Sequence, residues 1–319
     1  MLARHATTGP AAVKAVVTGS HGFVGPHLTA HLLASGDEVI PADRSTGIDI
    51  CAPASIGALL DDTQPEVVYH LAGMADVGAS WDQPATTFEV NAIGTLNTLE
   101  AARAAGVRRV LVVSSADVYG IVGPDALPID EDQPLRPVSP YGASKVAAEY
   151  LALQAWTGHG LETIRVRSFN HIGPGQTDKF VAAALAWRVA RAERDGSTAI
   201  TVGNVTPRRD FTDVRDVVRA YRAAMVDGAP GEVYNVASGR DIAIETLART
   251  LIDLATVSLE LDIDPDLQRP VDNPVSVGDA SRLRAATGWE PTISLDQTLG
   301  EILDDVRATL VAASDTTQP

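Results

Sequence analysis

The chain contains 319 residues, of which 45% are hydrophobic and 21% are charged, a balance typical of a folded globular protein. Its formal net charge of −16 disfavours partners with phosphate backbones and anionic lipid surfaces. No uninterrupted apolar run approaches the ~18–20 residues that span a bilayer. We therefore expect no nucleic-acid partner and no membrane insertion.

The cysteine and histidine content excludes further classes of protein. Cys51 is the only cysteine, which excludes an internal disulfide, and the seven histidines show no metal-ligand spacing. We therefore predict no metal site. The first ten residues lack the apolar stretch of a signal peptide, so we expect a frayed tail over 1–12 and a cytoplasmic protein.

Short β-rich runs alternate with helical stretches through the first half of the chain. Apolar strands separated by helices indicate βαβ units and a parallel sheet covered on both faces. Right-handed crossovers then give an α/β Rossmann fold, a doubly wound parallel sheet, over residues 13–170. The predicted strands are Val13–Thr18, Glu38–Asp43, Glu66–Leu71, Val110–Val113 and Glu162–Arg167, and the predicted helices are Phe23–Ser35, Ala85–Ala105 and Tyr141–Trp156.

The pattern loosens after about residue 170, where proline and glycine recur. We predict a smaller C-terminal α/β lobe over 171–312, interleaved with the last strands of the sheet, and a flexible tail over 313–319. Helices are expected near 178–194, 213–227, 244–256 and 295–312, and strands at Ala199–Val202 and Glu232–Val236.

A glycine-rich turn follows the first strand. Gly19, Gly22 and Gly25 lie between that strand and the first helix. This order is typical of a dinucleotide site, in which the glycines permit a tight turn, close approach of a pyrophosphate and close helix–strand contact. The helix N-terminus then offers N–H groups and a positive dipole end to the phosphates.

Asp43 ends the second strand, 18 residues after Gly25. A carboxylate there accepts hydrogen bonds from an adenosine ribose and repels a 2′-phosphate, which favours NAD(H) over NADP(H). Arg44 is adjacent and offsets that repulsion, so NADP(H) stays open as an alternative. Asp49 and Ile50 follow and are expected to flank the adenine.

A serine, a tyrosine and a lysine form the predicted catalytic group. Tyr141 and Lys145 share one helix face, and a nearby ammonium is expected to lower the pKa of the phenol toward working pH. Ser115 follows the fourth strand, at the carboxyl edge where such folds bind ligands. Together the three predict a site for interconverting a carbonyl and an alcohol.

Several motifs resemble those of the extended short-chain dehydrogenase/reductase family, also described as the NAD-dependent epimerase/dehydratase family. The resemblance covers nearly the whole chain and implies dimers that act on nucleotide-diphosphate sugars and bind them in the 171–312 lobe. The motifs are Thr-Gly-x-x-Gly-Phe-x-Gly at 18–25, His-Leu-Ala at 70–72, Asn-x-x-Gly-Thr at 91–95, Ser-Ser-x-x-Val-Tyr-Gly at 114–120 and Pro-Tyr-Gly-x-Ser-Lys at 140–145.

The branch of the family is indicated by the segment from Phe169 to Gln176. It resembles the members that reduce the C4 ketone of GDP-4-keto-6-deoxy-D-mannose to GDP-D-rhamnose. A 4-epimerase with tightly bound NAD is the second hypothesis, because epimerases share the Ser115–Ala116 pair. A 4,6-dehydratase is disfavoured because Ala116 cannot transfer a proton, and a non-catalytic dinucleotide sensor is disfavoured because the catalytic trio is complete.

The resemblance extends the predicted site beyond the catalytic trio. Asp117 is interpreted either as a helper in the reaction or as a turn residue, and His171 either as a proton carrier or as a hydrogen-bonded loop residue. The cofactor set is Gly19, His21, Gly22, Phe23, Val24, Gly25, Asp43, Arg44, Asp49, Ile50, Leu71, Ala72, Gly73, Tyr141, Lys145 and Phe169. The substrate set is Ser115, Asp117, Asn170, Lys179, Val181, Arg209 and Arg269.

Overall fold

A six-stranded parallel sheet forms the centre of the computed structural model, which describes residues 12–264 and 273–315. The strand order is β2-β1-β3-β4-β5-β9, and all five strand pairs are parallel. The strands are β1 (Lys14–Thr18), β2 (Glu38–Ala42), β3 (Val67–His70), β4 (Arg109–Ser115), β5 (Glu162–Ser168) and β9 (Val233–Val236). The predicted doubly wound α/β fold is confirmed.

Helices cover both faces of this sheet because its strands are apolar on both sides. One core lies between the sheet and the helices around Leu28 and Tyr221, and another between the sheet and those around Leu60 and Leu99. The helices are α1 (Val24–Ala34), α2 (Pro53–Thr63), α3 (Val77–Asp82), α4 (Pro84–Phe88), α5 (Gly94–Ala104), α6 (Pro140–His159), α8 (Val214–Asp227) and α10 (Ser281–Thr287), the remaining three being given below.

A third core lies in the second half of the chain, between α7 (Val181–Asp195), α9 (Ile244–Asp253) and α11 (Leu295–Asp315). Short strands accompany it: β6 (Asn170–Ile172), β7 (Ala199–Val202), β8 (Arg208–Asp213), β10 (Asp241–Ala243), β11 (Glu260–Ile263) and β12 (Val275–Ser276). β8 pairs in parallel with β6 and β12 and antiparallel with β10, and β11 pairs in parallel with β7. The predicted domain boundary at residue 170 stays a prediction. Three elements that follow it in the chain, β9, α8 and α10, belong to the central sheet or pack against it.

The expected helix Ala85–Ala105 is wrong in one respect. The segment is helical, but a π-helical turn at Glu89–Ile93 separates α4 from α5. The turn widens where Asn91 points inward: its side chain accepts from the Met74 N–H at 2.7 Å and donates to the Ser144 hydroxyl at 2.9 Å. Hydrogen bonding to two neighbouring segments thus accompanies the local change in helix type.

Candidate active site

The glycine-rich turn is shaped by contacts that exclude larger side chains. Gly19 has a φ of +68°, and a Cβ placed there lies 2.8 Å from the backbone nitrogen of Ala72. A Cβ at Gly25 lies 2.4 Å from the carbonyl oxygen of Ser20. The turn therefore packs tightly against β3 on one side and against α1 on the other. Gly22 stays exposed between them, where its backbone is accessible to a ligand.

The N-terminus of α1 fits an anionic group. Phe23 occupies the N-cap position and makes no side-chain capping bond. The first-turn N–H groups and the dipole of this 11-residue helix therefore face the exposed turn at His21 and Gly22. Val24 begins the helix. This geometry is the one that a dinucleotide pyrophosphate requires.

Asp43 lies beside this turn, directly after β2. Its carboxylate accepts from the backbone N–H of Ser45 at 3.0 Å and from the Ser45 hydroxyl at 2.9 Å. Burial alone would raise the pKa of Asp43, but these hydrogen bonds lower it below its usual value, so the group is ionised at neutral pH. Arg44 is exposed, with Nε 3.8 Å from the Asp49 carboxylate. An acidic and a basic group thus stand together at the predicted ribose site.

The remaining predicted cofactor residues divide into two groups. Leu71, Ala72 and Gly73 follow β3 and line the turn, and a Cβ on Gly73 would lie 3.4 Å from the Lys145 ammonium. The side chains of Ile50 and Phe169, by contrast, pack inside the protein, at 7% and 2% exposure. Ile50 packs on Gly94, and the Phe169 ring packs on Gly278, so a ligand reaches these two residues chiefly through their backbones.

Ser115, Tyr141 and Lys145 meet at the carboxyl end of β4. The Ser139 side chain caps α6 by accepting from the Gly142 N–H at 3.0 Å, which places Tyr141 in the first turn. The Lys145 ammonium donates to the Val113 carbonyl on β4 at 2.9 Å and lies 5.9 Å from the centre of the Tyr141 ring. All three site residues are at most 8% exposed.

The expected lowering of the Tyr141 pKa is wrong for the free protein. Burial raises it above its ordinary value, the Asp117 charge raises it further, and the Ser115 hydroxyl only partly opposes them. Burial also lowers the pKa of Lys145 to about 8. Desolvation is thus the largest cause of the shift at both groups, and at neutral pH the phenol carries its proton.

Asp117 lines the open cleft beside these residues. Its carboxylate accepts from the Ser115 hydroxyl at 3.0 Å, and its N–H donates to the same oxygen at 3.1 Å. Desolvation by surrounding protein atoms raises the pKa of Asp117, while the nearby Arg209 guanidinium lowers it. Arg209 itself donates to the Asn273 carbonyl at 2.6 Å. The structure therefore brings Asp117 and Arg209 into one cleft with the trio.

The other predicted substrate residues are spread around the start of the second lobe. Asn170, at the start of β6, and Lys179 are exposed, whereas Val181 is half-buried as the first residue of α7. Arg269 lies outside the described residues. His171 stacks on Phe23 with ring centroids 6.0 Å apart. Burial lowers its pKa, so it is neutral at pH 7 and bonded to the Phe169 carbonyl.

Two buried polar residues support the site although no role was predicted for them. Asn91 bridges the loop after β3 to α6, as described above. His70, 3% exposed, bonds to Thr18 at 2.9 Å and to Thr95 at 3.0 Å, and burial lowers its pKa to about 3. Both residues lie within motifs that carry the family resemblance. Their partners are distant in the sequence, so the motifs alone gave no role.

Within the part of the chain that the structure describes, no group of three or more His, Cys, Asp or Glu side chains is arranged to hold a metal ion. Among the same residues, no helix combines the length and the apolar character needed to cross a membrane.

The fold, the glycine-rich turn and the serine–tyrosine–lysine group together define a dinucleotide-binding enzyme of the short-chain dehydrogenase/reductase type. The sequence profile of the GDP-mannose 4,6 dehydratase family matches residues 44–302. The chain therefore belongs to this family of extended short-chain dehydrogenases/reductases, and the predictions of the family and of an enzyme are confirmed.

Individual relatives carry different activities. The chain is 41% identical to the GDP-6-deoxy-D-mannose reductase of Pseudomonas aeruginosa, over 91% of this chain and 95% of the relative. It is 32% identical to the UDP-glucose 4-epimerase of Mycolicibacterium smegmatis, over 92% of this chain and 99% of that relative. The structure of RMD from Pseudomonas aeruginosa complexed with NADPH is similar, with a TM-score of 0.85, 40% identity and coverage of 92% of this chain and 99% of that one.

Proposed function

We propose that the protein reduces the C4 ketone of GDP-4-keto-6-deoxy-D-mannose to GDP-D-rhamnose. The observation that carries the proposal is the buried Tyr141 phenol, grouped with Ser115 and Lys145 at the carboxyl end of β4. A ketone reductase needs such a proton donor before hydride arrives. The 41% identity to a GDP-6-deoxy-D-mannose reductase over 91% of the chain supports the substrate.

Each of the three residues has a part in the reduction. The reduced nicotinamide, when bound, supplies the hydride that adds to C4. Tyr141 donates its proton to the carbonyl oxygen as negative charge develops there, and Ser115 donates a hydrogen bond to the same oxygen. Lys145 stabilises the resulting phenolate and holds the nicotinamide ribose. The product is an alcohol, and the phenolate recovers its proton from solvent.

Residues around the trio favour reduction over dehydration. A 4,6-dehydratase needs further acid and base groups to take a proton from C5 and expel water from C6. Ala116 offers none, and Asp117 bonds to the Ser115 hydroxyl. The second candidate, a 4-epimerase, is supported by the 32% identity to a UDP-glucose 4-epimerase over 92% of the chain.

The cofactor is a nicotinamide dinucleotide, and we infer a preference for NAD(H). Relatives complexed with NADPH and with NAD support the general class. The ionised Asp43 supports the preference, because a carboxylate repels a 2′-phosphate. We also place the enzyme in the cytoplasm, because an unpaired Cys51 and a reduced cofactor both suit a reducing compartment.

Positive charge near the cleft is assigned to the substrate diphosphate. Arg209 is the described residue that we propose for this role, because its charge reaches Asp117 and a guanidinium suits bidentate contact with phosphate. Arg269 is proposed with it on the sequence alone. Asp117, Asn170, Lys179 and Val181 complete the proposed substrate set.

We further propose a homodimer built on α6 and its neighbours. An exposed apolar face there includes Phe88 at 44%, Ile93 at 42% and Tyr150 at 59% exposure. Leu96 and Leu151 line the groove between these side chains. An apolar face of this kind is stabilised by contact with another protein surface, and a second copy offers the same face in return.

One experiment separates the reductase from the epimerase. The purified protein is tested for retained dinucleotide and then given GDP-4-keto-6-deoxymannose with NADH or NADPH. We expect little retained cofactor and a loss of 340 nm absorbance that is stoichiometric with product. Interconversion of UDP- or GDP-hexoses without net cofactor consumption would refute the reductase and establish the epimerase.

A further inference from the structure

A buried ion pair lies directly behind the serine–tyrosine–lysine group. Glu149 on α6 is 1% exposed and Arg167 on β5 is 4% exposed. Arg167 Nε and Nη2 donate to the Glu149 carboxylate at 2.9–3.1 Å. A carboxylate and a guanidinium are thus held in a fixed, fully interior geometry.

The carboxylate contacts both elements that carry the site. Glu149 follows Lys145 by one turn of α6, so the two side chains share a helix face. The Ser114 hydroxyl on β4 donates to Glu149 Oε1 at 2.5 Å, and Ser114 immediately precedes Ser115. A displacement of Glu149 would therefore disturb α6 and the end of β4 together.

Stability alone does not account for this pair. The cost of removing two charges from water offsets most of their attraction, and apolar side chains of similar volume often serve as well. Arg167 makes two further bonds from Nη1, to the Tyr119 hydroxyl and to the Glu131 carbonyl, both at 3.0 Å. A polar network held this firmly beside a reactive group points to an electrostatic role.

Lys145 is the group on which this charge acts. Burial lowers its pKa to about 8, and the Glu149 charge opposes the fall. Burial lowers the pKa of His70 to about 3 and raises the pKa of Tyr141, so both side chains are neutral at pH 7. The titratable groups around the lysine and the phenol are His70 on β3, Tyr141 and Glu149 on α6, Asp117 after β4, Arg167 on β5 and Tyr221 on α8.

We propose that Glu149, held by Arg167, is a positioning residue that keeps the Lys145 side chain charged and directed into the active site. The inference rests on the proposed function, which gives the Lys145 charge its use. Without the carboxylate, a larger share of the lysine would be the neutral amine at the pH where the enzyme works, and a neutral amine stabilises a phenolate poorly.

The test measures the charge of Lys145 without relying on turnover. The chain has only three lysines, at positions 14, 145 and 179, so lysine labelled with ¹³C at Cε gives three NMR signals. Lys14→Arg and Lys179→Arg variants assign them. The pKa of Lys145 is then read from a pH titration of the free protein and of each variant.

Two substitutions at Glu149 separate charge from shape. Glu149→Gln keeps the shape and removes the charge, and we expect the Lys145 pKa to fall by about one. Glu149→Asp keeps the charge and shortens the side chain, and we expect a pKa close to that of the wild type. A purely structural role predicts the opposite order, because the shorter side chain disturbs the packing more.

A matched control and a second variant complete the design. Glu162 forms a comparable pair with Arg109 at 2.7 Å, at the far ends of β4 and β5, so Glu162→Gln should leave the Lys145 pKa unchanged. If Glu149→Gln does not fold, the double variant Glu149→Gln/Arg167→Met removes both charges, which buried sites tolerate better. The pKa should fall again, but by less than in Glu149→Gln, because the loss of the Arg167 charge offsets part of the loss of the carboxylate.

Three results would overturn the inference. The first is an unchanged Lys145 pKa in Glu149→Gln or in the double variant. The second is a fall of that pKa in Glu149→Asp as large as in Glu149→Gln, and the third is a fall of the same size in Glu162→Gln. Because the titration uses no substrate, a failure of the proposed reductase activity leaves this measurement intact. Where the protein does reduce the ketosugar, the alkaline limb of kcat/KM should move with the Lys145 pKa.

Discussion

Replacement of Tyr141 by Phe removes one oxygen atom from the centre of the proposed mechanism. The phenol is 7% exposed, and its raised pKa keeps it protonated in the free protein. Ser115 keeps its hydroxyl in the variant, so one hydrogen bond to the developing oxyanion survives. The loss is therefore that of a general acid, about 10²–10⁴-fold, which corresponds to ~3–5 kcal/mol in the barrier.

The assay is single-turnover hydride transfer from saturating cofactor, followed at 340 nm. Cofactor affinity should be nearly unchanged, because Lys145 and the glycine-rich turn are intact. Tyr234→Phe is the matched control: this phenol is 2% exposed and accepts the Ala229 N–H at 2.9 Å. Its loss removes one hydrogen bond to the backbone of the exposed Ala229 and costs about 0.5–1.5 kcal/mol of stability, with the rate preserved.

A wild-type rate of hydride transfer in Tyr141→Phe would refute the assignment. The proton would then have to come from another group, and Asp117 in the cleft is the next candidate, since desolvation raises its pKa. A rate loss of equal size in Tyr234→Phe would show that the assay reports stability instead of chemistry.

Three further predictions concern the cofactor, the effect of acid and the dimer. Asp43→Ala should weaken NADH binding more than NADPH binding in fluorescence titrations, and equal losses would remove Asp43 from the ribose site. The pKa of Glu193 is held at about 2 by hydrogen bonds from Arg307, against 4.5 normally. This group therefore stabilises the fold fully above pH 4.5, by about 1 kcal/mol once solvent screening is allowed for, and loses that effect as the pH falls toward 2. Urea unfolding of Glu193→Gln should show a penalty at pH 7 that shrinks at pH 3, and a penalty independent of pH would contradict the linkage. Ile93→Asp should convert the proposed dimer to a monomer in light scattering, whereas Val311→Asp, at a position 62% exposed on α11, should not.

The strands of the Rossmann half could be predicted because their signals are local. The run before Gly19 and the run before Asp43 are short, apolar and bounded by turns, and the structure places β1 and β2 there. Ser115, Tyr141 and Lys145 could be grouped for a related reason. The carboxyl ends of parallel strands share one edge of the sheet, so knowledge of the strand type places the residues that follow the strands.

Features that depend on distant partners escaped prediction. β8 pairs with three strands from separate parts of the chain, and none of these pairings leaves a mark in its own six residues. Ile50 and Phe169 stay predicted cofactor residues, but the packing of their side chains on Gly94 and Gly278 could not be read from the sequence. Local pattern identifies such residues as apolar and does not say which surface they face.

The protonation state of Tyr141 is where structure adds most to sequence, and it bears on the direction of the reaction. The Tyr-x-x-x-Lys spacing predicts a phenol with a lowered pKa, whereas burial and the Asp117 charge together raise it. An epimerase begins by taking a proton from a sugar hydroxyl, so it needs a phenolate at the outset. A reductase begins with a ketone and needs the proton in place. In the free protein the Tyr141 phenol carries its proton, because burial and the Asp117 charge raise its pKa. Burial therefore keeps the proton on Tyr141 until negative charge develops on the ketone oxygen, and Lys145 has to stabilise the phenolate that the transfer leaves.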